Sequence, residues 1–278
     1  MRRNPPKPDA HLCTPLDGGS LAKAGRDPLH RLADRIKADS RITVLTGAGV
    51  SAASGIPTFR GPDGLWKNFR PEELATPEAF ERDPRLVWEW YDWRRQFIAR
   101  CKPNRAHEVL ALWSQRYPKF TLITQNVDGL HERADTANVV RFHGSIWEVL
   151  CWNGCAASPK RWRDETVPFP KIPPHCPHCG GLIRPGVVWF GEGIDPVVLS
   201  CSQDALDCDI FLSIGTSSIV QPAASLIHGA DANGAFTVEI NVETTAAASY
   251  LDLSIQSPAE KTLEEVENLL GGLGKKNR

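Results

Sequence analysis

Apolar positions in this chain fall into two kinds of run. Short blocks of β-branched and aromatic residues, Ile42–Leu45, Phe120–Thr124, Val139–His143, Ile210–Ile214 and Thr237–Asn241, have the length and make-up of buried strands. Between them lie stretches whose apolar residues recur at helical spacing. Leu29, Leu32, Ala33 and Ile36 follow Asp27-Pro28, an N-cap with proline in the first turn. Leu263, Val266, Leu269 and Leu270 follow Ser257, Pro258 and Glu260, which have capping-box spacing, and Gly271 is expected to end that helix. Alternation of this kind predicts a parallel, doubly wound α/β sheet with right-handed crossovers.

Two segments break the alternation. Residues 61–103 begin in turns and continue as an aromatic helix after Asp83-Pro84, with Leu86, Trp90, Trp93 and Phe97 as the expected packing stripe. Residues 151–184 are rich in cysteine and proline and lack a strong period. Both read as insertions that build a smaller second domain against a main domain of residues 28–60, 104–150 and 185–270. Residues 1–27 are expected to be a mobile polar tail, and 271–278 a C-terminal tail. The 278 residues are consistent with one or two domains at about 150 residues each.

Charge and composition narrow the function classes. Lys+Arg 32 against Asp+Glu 33 leaves a net charge of -1, which removes the electrostatic case for nucleic acid or an anionic membrane as partner. The longest uncharged stretch, between Asp209 and Asp231, carries too many polar residues to cross a bilayer. The first 27 residues lack the apolar core of a signal peptide, and Asp9, Asp17 and Asp27 interrupt what would be a basic transit segment. The expectation is a cytoplasmic monomer in a reducing compartment, a mitochondrial address being open only if the source is eukaryotic.

Eight cysteines in a reducing compartment need a purpose other than disulfides. Cys13, Cys101, Cys201 and Cys208 are isolated, whereas Cys151 and Cys155, then Cys176 and Cys179, form two close pairs. Two such pairs place four thiolates on one tetrahedral zinc, a closed site that holds structure and leaves no position for chemistry. His175 and His178 flank the second pair as substitute ligands.

Gly47-Ala48-Gly49-Val50-Ser51-Ala52 matches a dinucleotide fingerprint with alanine in the third position, directly after the Ile42–Leu45 strand. The acidic residue that should follow about 20 residues on is missing, which disfavours an ordinary dehydrogenase. The longer run Gly47–Gly61, through Ile56-Pro57-Thr58-Phe59-Arg60, resembles the NAD-binding signature of the sirtuins. So do Thr124-Gln125-Asn126-Val127-Asp128-Gly129-Leu130-His131, Phe142-His143-Gly144, the two Cys pairs, Val187-Val188-Trp189-Phe190-Gly191-Glu192 and Gly215-Thr216-Ser217. These blocks stand in family order across roughly residues 28–270.

That resemblance implies a Rossmann-like NAD-binding domain, a zinc-bearing small domain and removal of acyl groups from lysine side chains of protein substrates, with NAD consumed as cosubstrate. Gly47, Ala48, Gly49, Ser51, Gly215, Thr216 and Ser217 would hold the phosphates and adenosine-side ribose, with Asn241 and Ala259 on the adenosine side too. Phe59 and Arg60 would lie over the reacting ribose, Gln125 would bind it, and Asn126 and Asp128 would line the nicotinamide pocket. His143 would be the general base, with Asn126 beside it as the second catalytic residue. Val187, Val188, Trp189, Phe190 and Gly191 would offer an edge to the substrate peptide. The acyl oxygen would attack the nicotinamide ribose, and the products would be nicotinamide, an O-acyl-ADP-ribose and free lysine. His30, His107, His131 and His228 read as ordinary structural histidines. A non-catalytic NAD or ADP-ribose reader is the alternative from another class.

On the second stripe of the aromatic helix, Tyr91-Asp92-Trp93-Arg94 resembles the Tyr-x-x-Arg motif of the desuccinylase and demalonylase branch. Leu74-Ala75-Thr76-Pro77 resembles the same branch, where a small residue at the Ala75 position widens the acyl pocket. By this resemblance Arg94 would pair with the distal carboxylate of a malonyl, succinyl or glutaryl lysine and Tyr91 would add a hydrogen bond. A general deacetylase of the same family is the alternative.

Overall fold

The computed structural model describes residues 27–58 and 71–276; the expected N-terminal tail as far as residue 26, and Phe59 and Arg60, lie outside the described residues. In chain order the strands are β1 (Ile42–Thr46), β2 (Phe120–Thr124), β3 (Val139–Arg141), β4 (Gly144–Cys151), β5 (Trp162–Arg163), β6 (Ile183–Val187), β7 (Ile210–Ile214), β8 (Phe236–Asn241) and β9 (Leu253–Gln256). The helices are α1 (Pro28–Arg35), α2 (Pro71–Leu74), α3 (Pro77–Arg82), α4 (Pro84–Arg100), α5 (Arg105–Arg116), α6 (Leu130–Arg133), α7 (Pro196–Asp204), α8 (Leu226–Ala232) and α9 (Ala259–Lys276).

Six strands form one parallel sheet in the order β3-β2-β1-β7-β8-β9. The two-residue period of a strand sends its side chains to opposite faces. Ile42, Val44, Ile210, Leu212 and Ile214 therefore pack under α1, α5 and α9, against Leu32, Val109, Trp113, Leu263 and Val266. Leu45, Ile123 and Phe211 face the other way, onto Leu226, Ile227 and Ala230 of α8. This is the doubly wound Rossmann-like arrangement that the strand and helix pattern predicts. Caps define the helix starts as expected: Asp27 accepts from Leu29 N–H at α1, and Asp83 from Leu86 N–H (2.9 Å) at α4.

A second, antiparallel sheet, β5-β4-β6, packs with α3 and α4 around Phe80, Trp88, Trp90, Ile146, Val149 and Trp189. Trp88 Nε1 donates to Ile183 O (2.8 Å), fastening α4 to β6. Arg95, 1% exposed, lies over the rings of Phe169 (4.7 Å) and Trp147 (5.3 Å) and donates to Asp164 Oδ1 (2.8 Å), fastening α4 to the segment after β5.

Four expectations change here. The small sheet begins at Gly144 and ends at Val187, so residues 144–150 and 185–187 pair within it and the expected boundaries at 150 and 185 cut through two of its strands. The strand expected over Val139–His143 ends at Arg141, and β9 adds a sixth parallel strand at the edge. Helix α9 runs through Gly271 to Lys276, so most of the expected C-terminal tail is helical; a glycine weakens a helix by about 1 kcal/mol but ends it only where the chain also turns. On α4 the stripe that looked peripheral is the more buried one: Val87, Tyr91, Arg94 and Ile98 are all buried, whereas Leu86, Trp93 and Phe97 are only partly so.

His107 on α5 and His131 on α6 are enclosed, and burial pulls them from 6.5 to about 2 and about 3 respectively. Both are neutral when folded, while the unfolded chain takes up protons below its ordinary histidine value, so stability falls as the pH drops from 6.5 toward 3. Each histidine is expected to remove about 2 kcal/mol by about pH 5. Urea unfolding at pH 7 and pH 5 measures this, and a midpoint that is unmoved would contradict it.

Candidate active site

Strands β1 and β7 are neighbours although 163 residues lie between Thr46 and Ile210, with β2 and β3 laid down on one side and β8 and β9 on the other. At such a switch point the loops after the two strands diverge and leave a crevice for a ligand. Gly47-Ala48-Gly49 leaves β1 there and Gly215-Thr216-Ser217 leaves β7. The two loops interlock: Gly47 N–H donates to Ile214 O (3.0 Å) and Gly49 N–H to Gly215 O (2.8 Å). Gly215 has φ +61, and a Cβ on it would stand 2.5 Å from Val50 N; one on Gly47 would stand 2.7 Å from Gly215 O. No side chain fits at either position, so the crevice floor is bare backbone. The element after the glycines is a 3₁₀ helix, Ala48–Ser54, closed by Gly55, and not a long α-helix whose dipole would meet a phosphate.

Thr216 gathers the polar groups around this floor. Gln125 Nε2 donates to Thr216 Oγ1 (2.9 Å), and Asn241 Nδ2, at the end of β8, donates to Thr216 O (2.9 Å). Ser217 is half-buried beside them. Ala259 starts α9 and its methyl belongs to the large core, so only its backbone remains for the role the resemblance implies.

A small cavity opens beside the glycines, walled by Ala48, Ser51, Ile56, Asn126, Asp128 and Arg94. Asn126 gives its amide hydrogens to Gly47 O (3.0 Å) and Ser51 Oγ (3.2 Å), which leaves Oδ1 as the atom it can offer a ligand. Ser51 in turn donates to Asp128 Oδ2 (2.8 Å), and Leu130 N–H donates to Oδ1 (2.9 Å). Burial still holds the Asp128 carboxyl above its ordinary value, the two hydrogen bonds only partly offsetting it.

His143 stands just past β3. Its Nδ1 lies 3.2 Å from Gln125 O, a carbonyl that can only accept, so the proton sits on Nδ1 and Nε2 carries the lone pair. Burial pushes its pKa below 6.5, the Gln125 bond opposing in part, so the ring is neutral near pH 7. The Val187–Gly191 segment is less open than an unpaired edge. Val188 N–H donates to His143 O (2.9 Å), Trp189 N–H to Glu192 Oε2 (2.8 Å) and Phe190 N–H to Ala75 O (2.9 Å). An incoming peptide would bond mainly to its carbonyls or open the Phe190–Ala75 bond.

Tyr91 and Arg94 sit one turn apart on α4, as their spacing predicts, but turn to different neighbours. Tyr91 OH accepts from Trp189 Nε1 (2.9 Å), and burial raises its pKa, so the phenol keeps a proton to donate. Arg94, 5% exposed, lies over the Trp90 ring (4.6 Å) and lines the cavity shared with Asn126 and Asp128. Burial lowers its pKa, opposed by Tyr91 and Asp128.

The four paired cysteines converge. Their Sγ atoms lie within 4.8 Å of one another, with Cys151 to Cys179 at 3.6 Å and Cys155 to Cys176 at 3.9 Å. A tetrahedron of Zn–S bonds of about 2.3 Å has edges of about 3.8 Å, so the thiols are arranged to bind zinc. Gly181 N–H points at Cys179 Sγ (3.4 Å), as a thiolate ligand requires. His175 and His178 are exposed and do not join the cluster.

Several supporting residues escaped the sequence reading. Trp147 Nε1 donates to Asp128 O (2.6 Å), and Arg184 braces the Val187–Glu192 segment through Val187 O (2.9 Å), Glu192 Oε2 (2.9 Å) and the face of Trp189 (3.5 Å). Neither carries a local signal. Asn104 does: it follows Pro103, caps α5, and reaches Val50 O (2.8 Å) and Ser54 Oγ (2.9 Å) behind the glycines.

Comparison with known proteins places these features in a family. The model of the Sir2 family matches residues 47–222, which takes in both glycine loops, His143 and all four paired cysteines. The chain belongs to the Sir2 family. Among its relatives, the NAD-dependent protein deacylase of Aquifex aeolicus (strain VF5) is 50% identical over 230 residues, 82% of this chain and 95% of that protein. The NAD-dependent protein deacylase 1 of Caldanaerobacter subterraneus subsp. tengcongensis is 48% identical over 82% of this chain and 93% of its own length. Among solved structures, a Sir2 homologue in complex with NAD superposes with a TM-score of 0.80 at 42% identity, covering 88% of this chain and 94% of that one. Sir2Tm bound to a propionylated peptide gives 0.75 at 26% identity, covering 87% and 98%. For this Sir2-family chain, the bare glycine floor and the carboxamides around Thr216 fit a dinucleotide, and the four thiols fit zinc.

Proposed function

We propose that this chain is an NAD-dependent protein-lysine deacylase that prefers acidic acyl groups, malonyl, succinyl or glutaryl, and releases nicotinamide, O-acyl-ADP-ribose and free lysine. The observation that carries this reading is the switch-point cavity, where Asn126 and Asp128 share a wall with the buried cation Arg94. The relatives' activity and the bound NAD and acylated peptide of related structures support the reaction class.

NAD supplies the ribose that accepts the acyl group. Gly47, Ala48, Gly49, Ser51, Gly215, Thr216 and Ser217 would hold its phosphates and adenosine-side ribose, with Asn241 and Ala259 also on the cofactor. Gln125 would hold the reacting ribose. Asn126, through its Oδ1, and Asp128 would line the nicotinamide pocket. His143 Nε2 takes a ribose hydroxyl proton, its Nδ1–H fixed on Gln125 O. The substrate peptide enters along Val187, Val188, Trp189, Phe190 and Gly191. Ala75, a small side chain, would widen the acyl pocket as the resemblance implies.

For the acyl group, Arg94 offers a dehydrated guanidinium to the distal carboxylate and the Tyr91 phenol donates a second bond. Such a charge-assisted bond is worth about 1.5–3 kcal/mol, or about 10- to 150-fold in discrimination. Wild type is expected to turn over succinyl peptide faster than acetyl peptide, and Arg94→Met to reverse or abolish that preference while acetyl turnover survives. Steady-state rates on matched peptides check this. Equal turnover by wild type, or unchanged desuccinylation by Arg94→Met, would reduce the chain to a general deacetylase.

A further inference from the structure

Behind the cleft, His107 and His131 face each other with ring centroids 4.8 Å apart, 0% and 1% exposed. Each ring has one bonded nitrogen and one buried nitrogen with no protein partner, Nε2 of His107 and Nδ1 of His131. The bonded sides fix the protons. His107 Nδ1 accepts from Asn104 N–H (3.2 Å), so its proton is on Nε2. His131 Nε2 lies 3.0 Å from Thr46 Oγ1, and Thr46 gives its single proton to Thr124 Oγ1 (2.9 Å), so His131 donates from Nε2 and its Nδ1 is bare. One ring therefore presents a donor and the other an acceptor. A single water between the rings would complete both, as buried waters commonly do for polar groups that lack a protein partner.

The polarity continues toward the cleft. Thr124 Oγ1 also accepts Asn126 N–H (3.1 Å), and Asn126 is the residue whose carboxamide is aimed by Gly47 O and Ser51 Oγ. At the other end, Asn104 holds Val50 O and Ser54 Oγ of the 3₁₀ segment. With a water between the rings, the bonds would run from Asn104, behind the glycine loop, to the backbone N–H of Asn126.

We propose that His107 and His131, bridged by one buried water, are positioning residues that set the Asn126 backbone, and with it the NAD pocket, through Thr46 and Thr124. This rests on the reading of Asn126 as a cosubstrate residue. Nothing in the sequence separates these two histidines from ordinary core residues; the one-sided bonding does.

Two measurements on the full chain test it. Imidazole ¹⁵N spectra of the unliganded protein read the tautomers directly: His107 and His131 should both carry the proton on Nε2, and His143 on Nδ1. Calorimetric titration with NAD then compares wild type, His131→Phe, which removes both nitrogens, and His131→Gln, whose amide can again donate to Thr46. NAD affinity should fall about tenfold in His131→Phe, as for one buried hydrogen bond left unmade, and recover most of that loss in His131→Gln. A proton on Nδ1 of either buried histidine would overturn the relay, as would unchanged NAD affinity in His131→Phe when wild type binds normally. Should wild type itself fail to bind NAD, the functional reading falls and the positioning role goes with it.

Discussion

His143→Asn is expected to keep the fold and the zinc while losing about 100- to 10,000-fold in deacylation turnover, the usual cost of removing a general base. An asparagine amide can still donate to Gln125 O, as Nδ1–H does now at 3.2 Å, so the local backbone keeps its partner. What disappears is the basic lone pair on Nε2. Because burial holds the His143 pKa below 6.5, the base is already neutral there, and in wild type the acid limb of kcat/KM should fall at a pH below the ordinary histidine value. Single-turnover acyl transfer and NAD affinity, measured together, separate the base from a binding defect. Turnover within a few-fold of wild type would assign the proton transfer elsewhere.

Cys176→Ser should release the metal and unfold the small sheet. Cys176 is 2% exposed and its thiol stands 3.9 Å from Cys155, so the variant puts a poorer ligand where the tetrahedron closes. Zinc binding in small sites is worth on the order of 10 kcal/mol, and that free energy is folding free energy. The consequence reaches the site, because β4 begins at Gly144 beside the base and ends at the first ligand, Cys151. One zinc per chain in wild type, a loss of it in Cys176→Ser and a collapse of near-ultraviolet tryptophan signal are the expected results. Wild-type protein free of zinc yet fully folded would contradict the closed site.

The large sheet was legible because its strands are buried on both faces and therefore nearly continuous in apolar residues, as in Ile42–Leu45 and Ile210–Ile214, which Thr43 and Ser213 alone interrupt. Strand β9 was not, since its Leu-Ser-Ile-Gln alternation is only four residues long. Strand β4 begins on the glycine of the Phe-His-Gly block, and Ser145 and Glu148 interrupt its apolar pattern, so its pairing with β6, about 40 residues on, has no local sign. On α4 aromatic residues mark both stripes, and counting them cannot say which is deeper. Arg94 is buried because its guanidinium lies on Trp90, a contact that a polarity scale scores as an exposed charge. The glycine loops and the thiol pairs were legible because each function needs a residue type at a fixed spacing. The bracing by Trp147, Arg184 and the histidine pair depends on approaches between distant segments, which no spacing encodes.

The most direct test is nicotinamide release from NAD by wild-type chain, with and without a succinylated lysine peptide. Release should occur only with the acylated peptide, one nicotinamide for each lysine freed, with no reduced nicotinamide formed and none of this with His143→Asn. Release that ignores the peptide, formation of reduced nicotinamide, or NAD binding with no release at all would contradict a lysine deacylase.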